Sequence, residues 1–129
     1  MTDSRLSRQS CDKYLAKLRS GSFESNEGSV FCELIGSPNW MRIYFPEQKL
    51  PLSQVVLELA EKVLCNLADL DRVANSDSNA KEYEPYLMDI YIYPDGEIKL
   101  DYCSEIENTG WGAFFRKNAN GEIEFVELG

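Results

Sequence analysis

From Leu87 to Tyr102 apolar and polar residues alternate on either side of a Pro-Asp-Gly turn, and that period of two predicts a β-hairpin. Met88, Ile90, Ile92, Ile98, Leu100 and Tyr102 then share one face, while Asp89, Tyr91, Tyr93, Glu97, Lys99 and Asp101 share the other. Similar runs predict strands over Val30 to Ile35, Trp40 to Phe45, Trp111 to Lys117 and Glu122 to Val126, joined by Gly-Ser-Pro-Asn, by the longer Ser104 to Gly110 segment, and by Asn-Ala-Asn-Gly. Ile123 and Phe125 would extend the apolar layer, with Glu122 and Glu124 on the polar side.

Two segments follow the helical period instead. Leu52, Val56, Leu59, Ala60, Val63, Leu67 and Leu70 form a stripe that predicts one helix from Leu52 to Val73. Cys11, Tyr14, Leu15 and Leu18 predict another from Ser4 to Leu18, capped by Thr2 or Asp3. Residues 20–29 break that helix, and residues 74–84 form a solvated loop after the long one. The order α-β-β-α-β-β-β-β predicts one α+β domain over residues 1–129, a mainly antiparallel β-sheet with two α-helices packed on one face.

Composition agrees with a globular chain, since 43% of the 129 residues are hydrophobic and 27% charged. The net charge of −9 alters the picture. Such a field repels nucleic acid and anionic membrane and speeds encounter with a basic partner. Residues 1–20 depart from it with a net +3, which leaves −12 on the remainder. That basic helix is expected to pack beside opposite charge; a lipid or nucleic-acid hook is the alternative. The first twenty residues have no apolar h-region and the apolar runs are too short to cross a bilayer, so the expected compartment is the cytoplasm.

Chemistry is narrowed by what is missing. With no histidine, Ser-His and Cys-His nucleophiles and the commonest metal ligand are excluded. Cys11, Cys32, Cys65 and Cys103 are too scattered for a zinc or thioredoxin-like motif, and buried thiols are expected, an oxidised pair remaining open. A calcium loop begun at Asp77 would place Glu82 where glycine is needed and Met88 where the bidentate glutamate belongs. No phosphate-binding glycine motif occurs, so neither cofactor nor metal is expected. Acid pairs remain at Asp69 and Asp71, Asp95 and Glu97, and Glu105 and Glu107, but acids in polar loops are ordinarily solvated.

A binding surface is the better reading of the polar face. Asp89, Tyr91, Tyr93, Glu97, Asp101, Glu122 and Glu124 concentrate acids with only Lys99 among them, and like charges on neighbouring strands cost stability. Tyrosine adds rigid amphipathic area. Trp111, between Gly110 and Gly112, is either packed in the core or an anchor at the rim of this face; Gly110 is expected to take a positive φ, and Gly112 to admit a close neighbour. Exposed strand edges also permit a homodimer.

The stretch from Asp89 to Tyr102, followed by Gly-Trp-Gly-Ala-Phe-Phe and the terminal Asn-Gly-Glu-Ile-Glu-Phe-Val-Glu, makes up the C-terminal third of this chain and resembles the C-terminal half of small acidic α+β immunity proteins of bacterial polymorphic-toxin and contact-dependent growth inhibition systems. The resemblance implies a cytoplasmic inhibitor that binds one cognate toxin domain and catalyses nothing. The residues themselves suggest how: carboxylates on the sheet would occupy the groove of a basic toxin such as a nuclease, where phosphates otherwise lie. The alternatives are the Asp77 to Glu84 loop as the contact, an adaptor for a cellular protein using the same sheet, and a carboxylate-dependent hydrolase.

Overall fold

The computed structural model describes residues 4–37, 40–76, 85–104, 106 and 109–129. A 3-10 turn at Ser4–Leu6 buries Leu6 and delays the first helix, so α1 spans Arg8–Arg19. Its cap is therefore Ser7, whose hydroxyl accepts from the Ser10 N–H at 3.1 Å. Cys11, Tyr14 and Leu18 face the core as their spacing requires. After α1 the chain forms a hairpin that the sequence pattern hides, β1 (Phe23–Asn26) and β2 (Ser29–Ile35). Most of β1 is exposed, so it shows no alternation; only Phe23 packs inward, edge-on to Phe45 at 5.9 Å. The two-residue turn needs left-handed backbone at both Glu27 (φ 44°) and Gly28 (φ 80°).

Strand β3 (Met41–Pro46) leads to α2 (Gln54–Cys65), α3 (Leu67–Ala74) and then β4 (Tyr86–Ile92), β5 (Glu97–Ser104), β6 (Thr109–Lys117) and β7 (Ile123–Leu128). The one long helix expected over Leu52 to Val73 is two, because Asn66 leaves helical geometry (φ −109°, ψ 13°) and turns its side chain back to donate to the Lys62 carbonyl at 2.8 Å. The buried stripe nevertheless runs through both, from Val56, Leu59, Ala60, Val63 and Leu64 into Leu67 and Leu70. The Ser53 hydroxyl caps α2 by accepting from the Val56 N–H at 3.2 Å. Ser53→Ala is expected to cost about 1 kcal/mol of stability, read as a lower urea midpoint with an unchanged slope.

The sheet has seven strands in sequence order. All neighbours are antiparallel except β3 and β4, which are parallel because the α2–α3 connection carries the chain across the sheet between them. Helix α1 packs on β2 and α2 on β4. Val30, Cys32, Leu34, Met41, Ile43, Phe45, Leu87, Ile90, Ile92, Ile98, Leu100, Tyr102, Ala113 and Phe115 supply the buried sheet face beneath the helices. At about 1.5–3 kcal/mol for each large apolar side chain removed from water, this layer sets the register.

Met88 is not part of that layer. It is the extra residue of a bulge, since Leu87 pairs with Tyr102 and Asp89 with the adjacent Asp101, so Leu87 takes the buried position. The Pro-Asp-Gly and Asn-Ala-Asn-Gly turns close as expected, with Gly96 (φ 90°) and Gly121 (φ 81°) in the left-handed region and their N–H groups donating to the Tyr93 and Asn118 carbonyls. No helix among the described residues is long and apolar enough to cross a membrane.

Candidate functional site

On the sheet face away from the helices, strand register aligns side chains into rows. One row runs from Glu24 through Phe31, Tyr44, Tyr91, Lys99 and Phe114 to Glu127, a residue from every strand. The rings of Phe31 and Tyr44 lie 5.7 Å apart, Tyr44 stacks on Tyr91 at 5.1 Å, and Tyr91 stacks on Tyr93 at 6.3 Å. Lys99 continues the row as a cation, its Nζ 5.5 Å from the Tyr91 centroid and 5.7 Å from that of Phe114. Gly112 makes room for it: a Cβ there would lie 2.5 Å from Lys99 Cε. The close neighbour that Gly112 admits is thus a lysine stem.

The adjacent row holds Glu33, Arg42, Asp89, Asp101 and Gly112. Arg42 lies over the rings of Phe31 (5.3 Å) and Trp40 (4.4 Å), while its backbone N–H donates to Asp89 Oδ1 at 3.1 Å. Asp89 and Asp101 are direct cross-strand partners, two acids on one face. Burial pushes the Asp89 carboxyl up to about 6, with Asp101 adding to the rise and the Arg42 N–H opposing it. Burial raises Asp101 as well, against the pull of Lys99. Tyr91 is pushed up to about 12, first by burial and then by these two acids.

The sign of the resulting pH dependence follows from linkage. A carboxyl whose folded pKa lies above its unfolded value of about 3.9 takes up a proton on folding, so its contribution to stability falls as pH rises from about 4 to 6. Ionised Asp89 is therefore a cost at neutral pH. Asp89→Asn keeps an acceptor for the Arg42 N–H and is expected to stabilise the protein by about 1 kcal/mol at pH 7, the shift being discounted for partial solvent screening. The gain should fade towards pH 4 in paired urea titrations; destabilisation at pH 7 would contradict this account.

The expected site residues divide. Asp89, Tyr91, Tyr93, Glu97 and Asp101 lie together on the open face, with Glu97 3.8 Å from Arg116. Glu124 reaches the same face opposite Arg116 and accepts from Asn118 Nδ2 at 2.8 Å. Glu122 precedes β7 and is held in the turn, its N–H donating to Asn118 Oδ1 at 3.0 Å. Trp111 is on the wrong side for a rim anchor: it pairs with inward-facing Tyr102 and stacks on it at 6.0 Å, packed against the core. Parity decides this, because Ala113 and Phe115 on the same strand also point inward. Gly110 sits in β6 opposite Cys103, where a Cβ would lie 3.0 Å from the Tyr102 carbonyl, so it serves close packing rather than a turn.

Sequence reasoning missed Phe31, Arg42, Tyr44 and Phe114, whose signal is the off-beat position in each alternating strand. It also overstated the acidity of the face, since Arg42 and Arg116 join Lys99 there. Beyond the hairpin turn, Tyr93, Pro94 and Phe114 with Glu47, Asp95 and Glu97 line a cleft of about 250 Å³. A lining that combines aromatic rings with carboxylates suits one basic side chain.

Two of the three acid pairs singled out for catalysis, Asp69 with Asp71 and Asp95 with Glu97, have structural work. Asp69 pairs with Arg72 at 2.5 Å, and Asp71 Oδ1 accepts from the buried Tyr102 hydroxyl at 2.6 Å and from Asn75. Asp95 Oδ1 accepts from the Glu97 N–H at 3.0 Å, closing the turn. Glu105, Glu107 and the Asp77 to Glu84 loop lie outside the described residues. All four cysteines are free; Cys11 and Cys32 are buried, Cys65 is exposed and Cys103 half-buried. Burial raises the Cys11 and Cys32 thiols, which disfavours the reactive thiolate. Comparison with protein-family models, with curated proteins and with solved structures returns no match.

Proposed function

We propose that this protein is an immunity protein, a non-enzymatic inhibitor that neutralises a basic toxin domain by binding it across the open sheet face. One observation carries the reading: the aromatic row of Phe31, Tyr44 and Tyr91 leads through Tyr93 to the acid-lined cleft beside Glu97. Tyrosine and arginine with desolvated neighbours are what protein interfaces concentrate at their energetic centre, and here carboxylates lie beside them. Asp89 adds a further indication, since an acid left half-buried at a cost to stability is expected where binding supplies the compensation.

In this reading the aromatic row supplies area, while the cleft takes an arginine or lysine of the toxin. Asp89, Asp101 and Glu124 then face the cations around it. The net charge of −9 speeds the encounter with such a partner. Glu124 and Glu127 along the edge strand β7 count against self-pairing there, because antiparallel copies would bring like charges together. An adaptor for a cellular protein would use the same face and is separated by phenotype.

The test is co-expression with the product of the neighbouring gene. A stable complex and protection of growth are expected. A complex without protection would favour the adaptor, whereas no complex and no protection would end the reading.

A further inference from the structure

A second surface differs from the first in every respect. Between α1 and the end of β2 runs a groove of about 770 Å³, lined by Arg5, Lys13 and Lys17 and floored by Leu34 and Ile35, with no acidic residue among the described residues of its lining. On a chain of net charge −9 this is a local reversal of sign. The expectation that the basic helix packs beside opposite charge holds for Arg19, which pairs with Glu61 at 2.5 Å, whereas Lys13 and Lys17 are exposed along the groove.

The groove also adjoins strand edge. Strand β1 reaches only as far as Cys32, where Phe23 pairs with it, and Glu33 to Ile35 of β2 continue past its end. A bulge between Glu33 and Ile35 brings Leu34 and Ile35 together on the groove floor. An extended chain entering in line with β1 would lie alongside this edge. Lys13 and Lys17 are one helical turn apart, about 6 Å along the axis. Side chains two apart on a strand recur at about 6.6 Å, so an acidic residue at every second position of an extended segment matches the two lysines.

The geometry points to this groove as a binding site for an acidic peptide segment in extended conformation, which adds to the open end of β2 and places alternate carboxylates against Lys13 and Lys17. A phosphodiester chain has comparable charge spacing, but it has no amide groups to pair with the strand edge, so the edge favours peptide. This site is independent of the open sheet face and of the toxin-binding reading.

The test uses a fluorescein-labelled Glu-Val-Glu-Val-Glu peptide and the whole protein. Saturable binding is expected at low ionic strength, weakening as salt is added. The Lys13→Glu/Lys17→Glu variant should bind at least tenfold more weakly, and Lys13→Gln/Lys17→Gln should fall between; both pairs lie on an exposed helix face, and circular dichroism checks that the fold is kept. Peptide should shift the backbone amides of Glu33 to Ile35 and protect those among them that point away from β3. Equal binding of the lysine counterpart peptide, unchanged affinity in the variants, tighter binding of oligothymidylate, absence of saturation at millimolar peptide, or amide changes that spare Glu33 to Ile35 would each overturn the proposal.

Discussion

Tyr102→Ala is expected to cost about 3–5 kcal/mol of folding stability, a large share of the roughly 5–15 kcal/mol that holds a domain of this size together. The ring is 1% exposed, stacks on Trp111, and belongs to the buried layer beneath the helices. Its hydroxyl donates to Asp71 at 2.6 Å and so ties β5 to α3. Tyr102→Phe keeps the ring and removes the hydroxyl that makes this bond to a charged acceptor, with an expected cost of about 1.5 kcal/mol. Asp71 is left partly served, because Asn75 Nδ2 also donates to the same oxygen at 2.9 Å. Urea unfolding of the two variants separates packing from hydrogen bonding. Equal losses would mean that the ring contributes little and that the tie to α3 dominates.

The second large effect is on binding rather than folding. In a complex with a basic toxin domain, Asp89→Lys is expected to weaken affinity by about 2–5 kcal/mol, chiefly through a faster off-rate, because a cation would replace a half-buried acceptor facing the partner's charge. Tyr91→Ala removes the ring between Tyr44 and Tyr93 and should cost about 2 kcal/mol or more. Asp89→Asn is the informative control, since it should stabilise the free protein at pH 7 while weakening the complex. Opposite signs from one substitution distinguish a binding residue from a structural one. Calorimetric affinities within twofold of the parent for both Asp89→Lys and Tyr91→Ala would place the toxin contact elsewhere.

Several features of this molecule were readable from residue order. The hairpin from Leu87 to Tyr102 and its partition into an apolar and a polar face needed only a period of two, and Asp89, Tyr91, Tyr93, Glu97 and Asp101 were assigned to the polar side from that period alone. The α2 and α3 stripe needed only a period of 3.6. Turns at Gly96 and Gly121 needed only the local demand for left-handed backbone. In each case the determining interaction lies within a few residues along the chain, or depends on which side of one element meets water.

Other features required contacts between distant segments. Whether Trp111 points inward depends on the register of β6 against β5, and whether Leu87 or Met88 is buried depends on a bulge that exists only in the pairing of two strands. The parallel alignment of β3 with β4 brings Tyr44 against Tyr91 across 47 residues, and no local pattern specifies which strands become neighbours. Thus the period of the side chains determined the faces, whereas the pairing of strands decided which residues of those faces touch. The physical reason is range: periodicity is a property of one element in solvent, but the aromatic row, the acidic pair and the basic groove are sums over several elements that acquire a geometry only when the core closes.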